Sequence, residues 1–250
     1  LSSIGDGFWV RSLAETYPAG GYIPRHQHPW GQLAYAIRGA LRILTPEAVR
    51  LAPPTRAVWL PPGRPHEIRM QGETAMRTLY IDPETARPLP DRETVFEVTP
   101  LLRELILHIL GLGMLGPGEA AHARLAGVLI DLLVQARPQD LALPLPRDPR
   151  AFAFAELVQA DPADTASLAA LARRSGASLR TLQRVFPEET GLTLDAWRLK
   201  ARLIWAVAAL SGGASVSAAA LACGYESPSA FITAFKRQFG VTPGRYRAVA

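Results

Sequence analysis

The sequence predicts an α+β protein, with a strand-rich N-terminal half closed by a helical hairpin and an all-α C-terminal domain. Three observations carry that expectation. Short β-like runs broken by Pro and Gly fill residues 8–81, and apolar residues fall into helical spacing from residue 99 onward. A stretch with neither pattern, "PQDLALPLPRDPR" at 138–150, then divides the helical text in two. At 250 residues and 48% hydrophobic composition, the chain has material for two cores of ordinary domain size. The expected parts are a barrel over 1–98, a hairpin over 99–137, a linker over 138–150 and a helical domain over 151–250.

The strand runs are "QLAYAIRG", "LRILT", "AVRLAPP", "AVWLPPG" and "MRTLYID", a spacing that fits an all-β barrel or sandwich. Thr99 is placed to cap the first helix, with Pro100 at its first position and Leu101, Leu105 and Ile109 recurring every four residues. Leu125, Val128, Leu129, Leu132 and Leu133 share a face of the second helix, and "GLGMLGPGE" joins the two. Such a hairpin either covers the barrel or offers a second apolar face to another copy of the chain, so a homodimer is expected. The four prolines of 138–150 predict an extended, semi-rigid linker.

Beyond residue 150 the text is helical and contains an internal repeat. Ala172 and Gly176 recur as Ala220 and Gly224; Ser178, Phe186, Gly191 and Thr193 recur one residue later than that offset, as Ser227, Phe235, Gly240 and Thr242. The change of offset places an inserted residue in the turn of the second copy. Each copy runs helix, Gly-containing turn, Ser cap, second helix, Phe and terminating Gly, which is a helix-turn-helix. Between the copies, "DAWRLKARLIWAVAALSGG" is apolar nearly all round and predicts a buried connecting helix.

Charge supports a nucleic-acid partner for this part. The whole chain carries a net charge of +5, but residues 167–250 hold 11 basic and 4 acidic side chains. A basic surface of this kind fits a phosphate backbone, because neutralising phosphates releases condensed counterions. In "SLRTLQRVFPEETG", Leu182, Val185 and Phe186 point inward and leave Arg180, Gln183 and Arg184 on the opposite side, with Thr181 beside them. Arg bonds guanine bidentately and Gln bonds adenine. Pro187 predicts a kink or an end to this helix near residues 183–186. In "SPSAFITAFKRQFG", Phe231, Phe235 and Phe239 form the inward stripe and Ser229, Thr233, Lys236 and Arg237 the outward one, suited more to phosphate anchoring than to base reading.

The stretch "ALACGYESPSAFITAFKRQFGVTPGRYR" at 220–247 resembles the DNA-binding domain of AraC/XylS-type transcriptional regulators, and the likeness extends over about 167–250. That resemblance implies that Arg180, Gln183 and Arg184 contact bases from the first recognition helix, and Ser229, Ala230 and Thr233 from the second. Pro187 stands where the family usually has a basic residue, so one phosphate contact is missing from the pattern.

In the N-terminal half, "RHQHPWGQ" places His26 and His28 two residues apart with Gln32 on the same strand face, provided Pro29 does not interrupt the strand. His66 follows the turn "WLPPGRPHE". Gly21 to Gly39 around His-x-His, with Pro61-Pro62-Gly63 before His66, resembles the two motifs of cupin barrels. By that resemblance His26, His28, Gln32 and His66 are the metal positions, with Gln32 standing where metal-binding cupins have Glu. Three imidazoles suit zinc, nickel, iron or copper, and the alternative is a set of hydrogen-bonded residues at a barrel mouth. Trp30, Tyr35, Trp59 and Tyr80 are the expected effector-pocket aromatics, with packing as the competing role.

The expected function is therefore transcription regulation through double-stranded DNA, controlled by a small effector, a divalent metal or both, with RNA polymerase as a further partner. Activation and repression stay open. The rival expectation is a metal-dependent cupin oxygenase or isomerase fused to a DNA-binding domain. The single Cys223 excludes an internal disulfide framework and reads as a small buried residue. No run of about 18 uncharged apolar residues and no basic-then-apolar N-terminal segment occurs, so neither a membrane span nor a secretory leader is expected, and the expected location is the cytoplasm.

Overall fold

The computed structural model describes residues 7–139 and 141–249 and divides into two compact units. The first takes in the chain up to residue 141 apart from 46–49; the second consists of 46–49 and residues from 142 onward.

The strands are β1 (Val10–Tyr17), β2 (Tyr22–His26), β3 (Gly31–Leu44), β4 (Ala48–Ala52), β5 (Arg56–Leu60), β6 (His66–Ile81), β7 (Thr94–Glu97) and the short β8 (Met114–Leu115). Their order is β7-β5-β3-β6-β1-β8, with β2 also paired to β6 and β4 to β3. β6 is the spine: β3 runs antiparallel along it, β2 pairs near its start, and β1 pairs with its second half.

The two runs "QLAYAIRG" and "LRILT" form the single strand β3. Gly39 permits this. It sits at φ 73° where the β3–β6 register shifts, and a Cβ there would lie 2.5 Å from the Glu73 carbonyl oxygen. The bulge reverses which residues of β3 share a face with the even-numbered residues of β6. Gln32, Ala34 and Ala36 pair with Tyr80, Thr78 and Met76 before it; Leu41 and Ile43 pair with Met70 and Ile68 after it.

Leu33, Tyr35, Ala57, Trp59, Leu79 and Ile81 lie on the other face of this sheet and pack against the helical hairpin. The hairpin consists of α1 (Pro100–Leu112) and α2 (Ala120–Gln135). Thr99 caps α1 as expected, its hydroxyl accepting the Leu102 N–H. The buried stripe of α1 is Leu102, Ile106 and Ile109; Leu101 is 63% exposed and Leu105 half-buried. A strict four-residue spacing drifts around a helix of 3.6 residues per turn, which is why the expected stripe is displaced by one residue at its start. On α2, Leu129 and Leu133 are buried with Ala126 and Ile130, whereas Val128 faces outward. The connection between the helices is more than a turn, because β8 within it pairs with β1.

The segment 138–150 is not a free linker. Within the first unit the Leu51 N–H donates to the Leu141 carbonyl, and within the second the Leu145 N–H donates to the Glu47 carbonyl. Leu141, Leu143 and Leu145 are buried, and 142–144 form the strand β9 (Ala142–Pro144). Alternate leucines gave this proline-rich stretch apolar side chains to pack, which outweighed its lack of a donor at each proline.

The second unit contains α3 (Pro149–Ala160), α4 (Leu168–Arg174), α5 (Leu179–Thr190), α6 (Leu194–Ser211), α7 (Val216–Ala222), α8 (Pro228–Phe239) and α9 (Pro243–Val249). The helical part begins at Pro149, ahead of residue 151, because Asp148 caps α3 through the Arg150 and Ala151 N–H groups. The α4–α5 and α7–α8 pairs are the two helix-turn-helix copies. Their turn glycines Gly176 and Gly224 both have φ 73°, and their terminating glycines Gly191 and Gly240 have φ 72° and 74°. Ser178 and Ser227 each accept the backbone N–H three residues on. In the first copy Phe186 packs edge-to-face on Trp197 of α6, which also meets Phe154; in the second, Phe231, Phe235 and Tyr246 are packed together, with Phe239 half-buried against them. Cys223 is buried, and burial pushes its thiol up to about 12.

Candidate functional site

Pro29 interrupts the strand, so β2 ends at His26 and residues 27–30 form a loop. The histidines converge because each is held by the backbone. The Nδ1 atoms lie 2.8 Å from the Pro24 carbonyl in His26, 2.7 Å from the Trp30 carbonyl in His28, and 2.8 Å from the Arg64 carbonyl in His66. A carbonyl only accepts, so in a neutral ring the proton sits on Nδ1 and the Nε2 lone pair is turned away from the backbone. The candidate ligand atoms of the three rings lie within 4.8 Å of one another. Among the described residues His66 Nε2, which is buried, has no hydrogen-bond partner.

Gln32 sharpens the chemistry. Its amide nitrogen donates to Thr78 Oγ1 (3.0 Å), whose hydroxyl donates to the Leu33 carbonyl, and this fixes the side-chain amide with Oε1 toward His28. Oε1 is 3.1 Å from His28 Nε2. With the His28 proton committed to Trp30, both facing atoms are acceptors, an arrangement that suits a bound cation. The four residues therefore fit a cation in both donor type and orientation.

Burial pushes the His66 imidazole down to about 4, only partly offset by its bond to the Arg64 carbonyl, and the nearby His26 and His28 push the same way. In chelator-treated protein the unfolded chain binds a proton below pH 6.5 that the folded chain refuses until about pH 4. Stability is expected to fall by about 3 kcal/mol as the pH drops through that window. Urea unfolding at both ends of it checks this, and His66→Asn should show a smaller fall.

Of the expected pocket aromatics, only Tyr80 adjoins the histidines, its ring edge-on to His28 at 5.2 Å. Tyr35 and Trp59 belong to the opposite sheet face beneath the hairpin, where Tyr35 donates to the Pro54 carbonyl and Trp59 to the Pro90 carbonyl. Trp30 is buried under the Arg11 guanidinium and serves the site through its carbonyl. Glu15 and Tyr17 were not anticipated. β1 register places them on the face of Met76 and Thr74, which is the face of Tyr80. Burial and a hydrogen bond to Glu15 push the Tyr17 phenol up to about 12, and burial followed by the Glu15 charge raises Tyr80.

In the helical unit, Arg180, Gln183 and Arg184 are exposed on α5, opposite the buried Leu182, Val185 and Phe186. Thr181 is half-buried with its hydroxyl against Ser178 (2.9 Å). Arg184 donates to Glu188 at 2.8 Å. The helix does not end at Pro187: it continues to Thr190 and terminates at Gly191, its buried Leu182, Val185 and Phe186 holding it in register. On α8, Ser229, Ala230, Thr233, Lys236 and Arg237 are all exposed, and the Thr233 hydroxyl donates to the Ser229 carbonyl.

A strand-rich unit with a histidine cluster and a helical unit with paired helix-turn-helix motifs define a DNA-binding transcriptional regulator with a cupin domain. Residues 171–248 match the helix-turn-helix domain family and residues 13–82 the cupin domain family. The chain is 36% identical over 225 residues to the HTH-type transcriptional regulator NimR of Escherichia coli K12, covering 90% of this chain and 82% of that protein. It therefore belongs to the AraC-type family of helix-turn-helix transcriptional regulators. It is also 37% identical over 103 residues to the HTH-type transcriptional regulator RipA of Corynebacterium glutamicum, covering 41% of this chain and 31% of that one. A solved AraC-type regulator from Chromobacterium violaceum aligns with 40% of this chain and 90% of its own at 29% identity and a TM-score of 0.38. No helix among the described residues is long and apolar enough to cross a membrane.

Proposed function

We propose that the cupin unit is a sensor in which His26, His28 and His66 hold one divalent transition metal, with Gln32 as the neutral fourth group, and that its occupancy controls DNA binding. The observation that carries this is the opposition of two acceptor atoms, His28 Nε2 and Gln32 Oε1, beside the unpartnered Nε2 of His66. Zinc, nickel, iron and copper all suit imidazole donors. A bound ion would supply a fixed positive charge at the three histidines, and Tyr80, Tyr17 and Glu15 would offer a small effector an aromatic edge and polar groups. The exposed Leu101, Leu112, Val128 and Val134 of the hairpin are the surface for a homodimer. Metal or effector acts by differential affinity for two arrangements of that dimer, so that promoter DNA, and through it RNA polymerase, senses the site.

On the DNA side, Arg180, Gln183 and Arg184 read base edges from α5, Thr181 supports them, and Ser229, Ala230, Thr233, Lys236 and Arg237 place α8 on the duplex. Arg184→Ala is expected to weaken binding by about 1–3 kcal/mol and to relax base preference at one position. Fluorescence anisotropy on a duplex selected by the unmodified chain, repeated with single-base changes, measures both; an unchanged preference removes Arg184 from the reading set. The same titration with chelator, then with nickel or zinc restored, tests the sensor. DNA affinity indifferent to metal, together with turnover of a small molecule by the metal-loaded chain, would instead assign the cupin unit to an enzyme.

A further inference from the structure

The one-residue insertion in the second helix-turn-helix turn has a structural counterpart. Gly176 precedes the cap Ser178 by two residues, whereas Gly224 precedes Ser227 by three. Both turns keep the same backbone bond, from Ala177 N–H to the Ala172 carbonyl and from Tyr225 N–H to the Ala220 carbonyl. The added residue therefore falls between Tyr225 and the cap, where Glu226 is exposed, and Gly224, Tyr225 and Glu226 line a cavity of about 420 Å³ with Thr165, Arg198, Arg202, Ser227 and Ala230.

Two arginines one helical turn apart on α6 line this cavity, and among the described residues neither forms an ion pair. Arg198 and Arg202 both donate to the same acceptor, the backbone carbonyl of Asp164, at 2.5 and 2.6 Å. The Asp164 carboxylate bonds directly to Arg174 and to the Ala166 N–H, and reaches Arg198 only through its charge. Among the described residues, no carboxylate oxygen is within ion-pair distance of either guanidinium, and Arg202 Nε is buried without a hydrogen-bond partner. Burial, followed by the charge of Arg202, lowers Arg198 from the usual arginine value, with Asp164 and Asp195 acting the other way. Glu226 is the one acidic residue among the described residues that line the cavity, and it is exposed.

Two adjacent guanidiniums without a direct carboxylate partner, beside a half-buried tyrosine, are suited to a tetrahedral anion with several acceptor oxygens. Ser227 and Ala230, which also line the cavity, flank the exposed Ser229 of α8, so the anion site opens onto the surface read above as facing the duplex. We infer that Arg198, Arg202 and the lengthened Gly224–Ser227 turn form a site for one phosphodiester of the DNA backbone, present in the second helix-turn-helix and without a counterpart in the shorter turn of the first. This rests on the reading that α5 and α8 bind duplex DNA.

The test is the salt dependence of duplex binding by the full chain between about 50 and 200 mM salt, where each neutralised phosphate contributes about 0.9 to the slope of log affinity against log salt. Arg198→Gln/Arg202→Gln is expected to lower the slope by about one and affinity by about tenfold, equally on selected and scrambled duplexes. Arg202→Lys should keep the slope, and Glu226→Gln should bind more tightly. Thermal melting followed by circular dichroism establishes that the variants fold, and the single Arg198→Gln change, at a half-buried side chain, repeats the measurement where the pair does not. An unchanged slope and affinity in folded variants overturns the assignment. So does a melting shift with inorganic phosphate that the double variant loses while its duplex slope stays unchanged, since the site then belongs to a soluble phosphate. A flat salt response in the unmodified chain defeats the DNA reading itself, whereas a steep one with unaffected arginine variants defeats only this phosphate site.

Discussion

Protein purified without an affinity tag is expected to carry about one transition-metal ion per chain, and His26→Ala or His66→Ala is expected to lower metal affinity by more than about 100-fold. The size of the effect follows from the number of donors. Three imidazoles are available, each aimed by a carbonyl behind it, and removing one leaves two neutral nitrogens and an amide oxygen. Elemental analysis and competition with a chromogenic chelator give the affinity. The Gln32→Glu variant should move it the other way, since a carboxylate in place of Oε1 adds a negative charge 3.1 Å from His28 Nε2 in the present arrangement. Metal-free protein whose DNA binding ignores added zinc, nickel, iron and copper would remove the metal from the mechanism.

Trp197→Ala is the substitution expected to cost the helical unit most, on the order of 3–5 kcal/mol. Its ring is fully buried and packs edge-to-face on Phe186 at 5.2 Å, and its Nε1 donates to the Pro144 carbonyl at 2.6 Å. Phe186 lies on the inner side of α5, so the void opens beneath the helix whose outer side carries Arg180, Gln183 and Arg184. Urea unfolding followed by helical circular dichroism should show an earlier loss, and duplex affinity should fall with it. Trp197→Phe separates the contributions: it keeps most of the packing and forfeits the hydrogen bond, a loss of about 1 kcal/mol. Equal stability of the alanine variant and the parent would mean that the core of the first helix-turn-helix is held by other residues.

How much was legible in the sequence depended on whether the signal was local. The repeat could be read because Gly176, Gly191, Gly224 and Gly240 all adopt positive φ, a demand that a sequence meets with glycine. Caps were legible for the same reason: Thr99, Ser178 and Ser227 each satisfy an N–H three residues away. The histidine cluster was readable as residue types, but the carbonyls of Pro24, Trp30 and Arg64 that aim it have no side-chain signature. Tyr35 and Trp59 show the harder limit. Both are buried aromatics on strands, and alternation says which neighbours share their face without saying which face looks onto the histidines and which lies under helices. That depends on pairing between distant strands, and so does the placement of Glu15 and Tyr17 beside Tyr80.

If Arg184 reads a base as proposed, its pairing with Glu188, one turn further along α5, sets an internal carboxylate in competition with the duplex. A base edge must displace a carboxylate already in place, and for an exposed pair of this spacing the handicap is only a few tenths of a kcal/mol. A guanine offering two acceptors overcomes it easily; a base offering one poorly aligned acceptor gains little over the internal anion. On that reading Glu188 would be a weak internal competitor for Arg184, setting against poorly matched sites a handicap that a well-matched base overcomes.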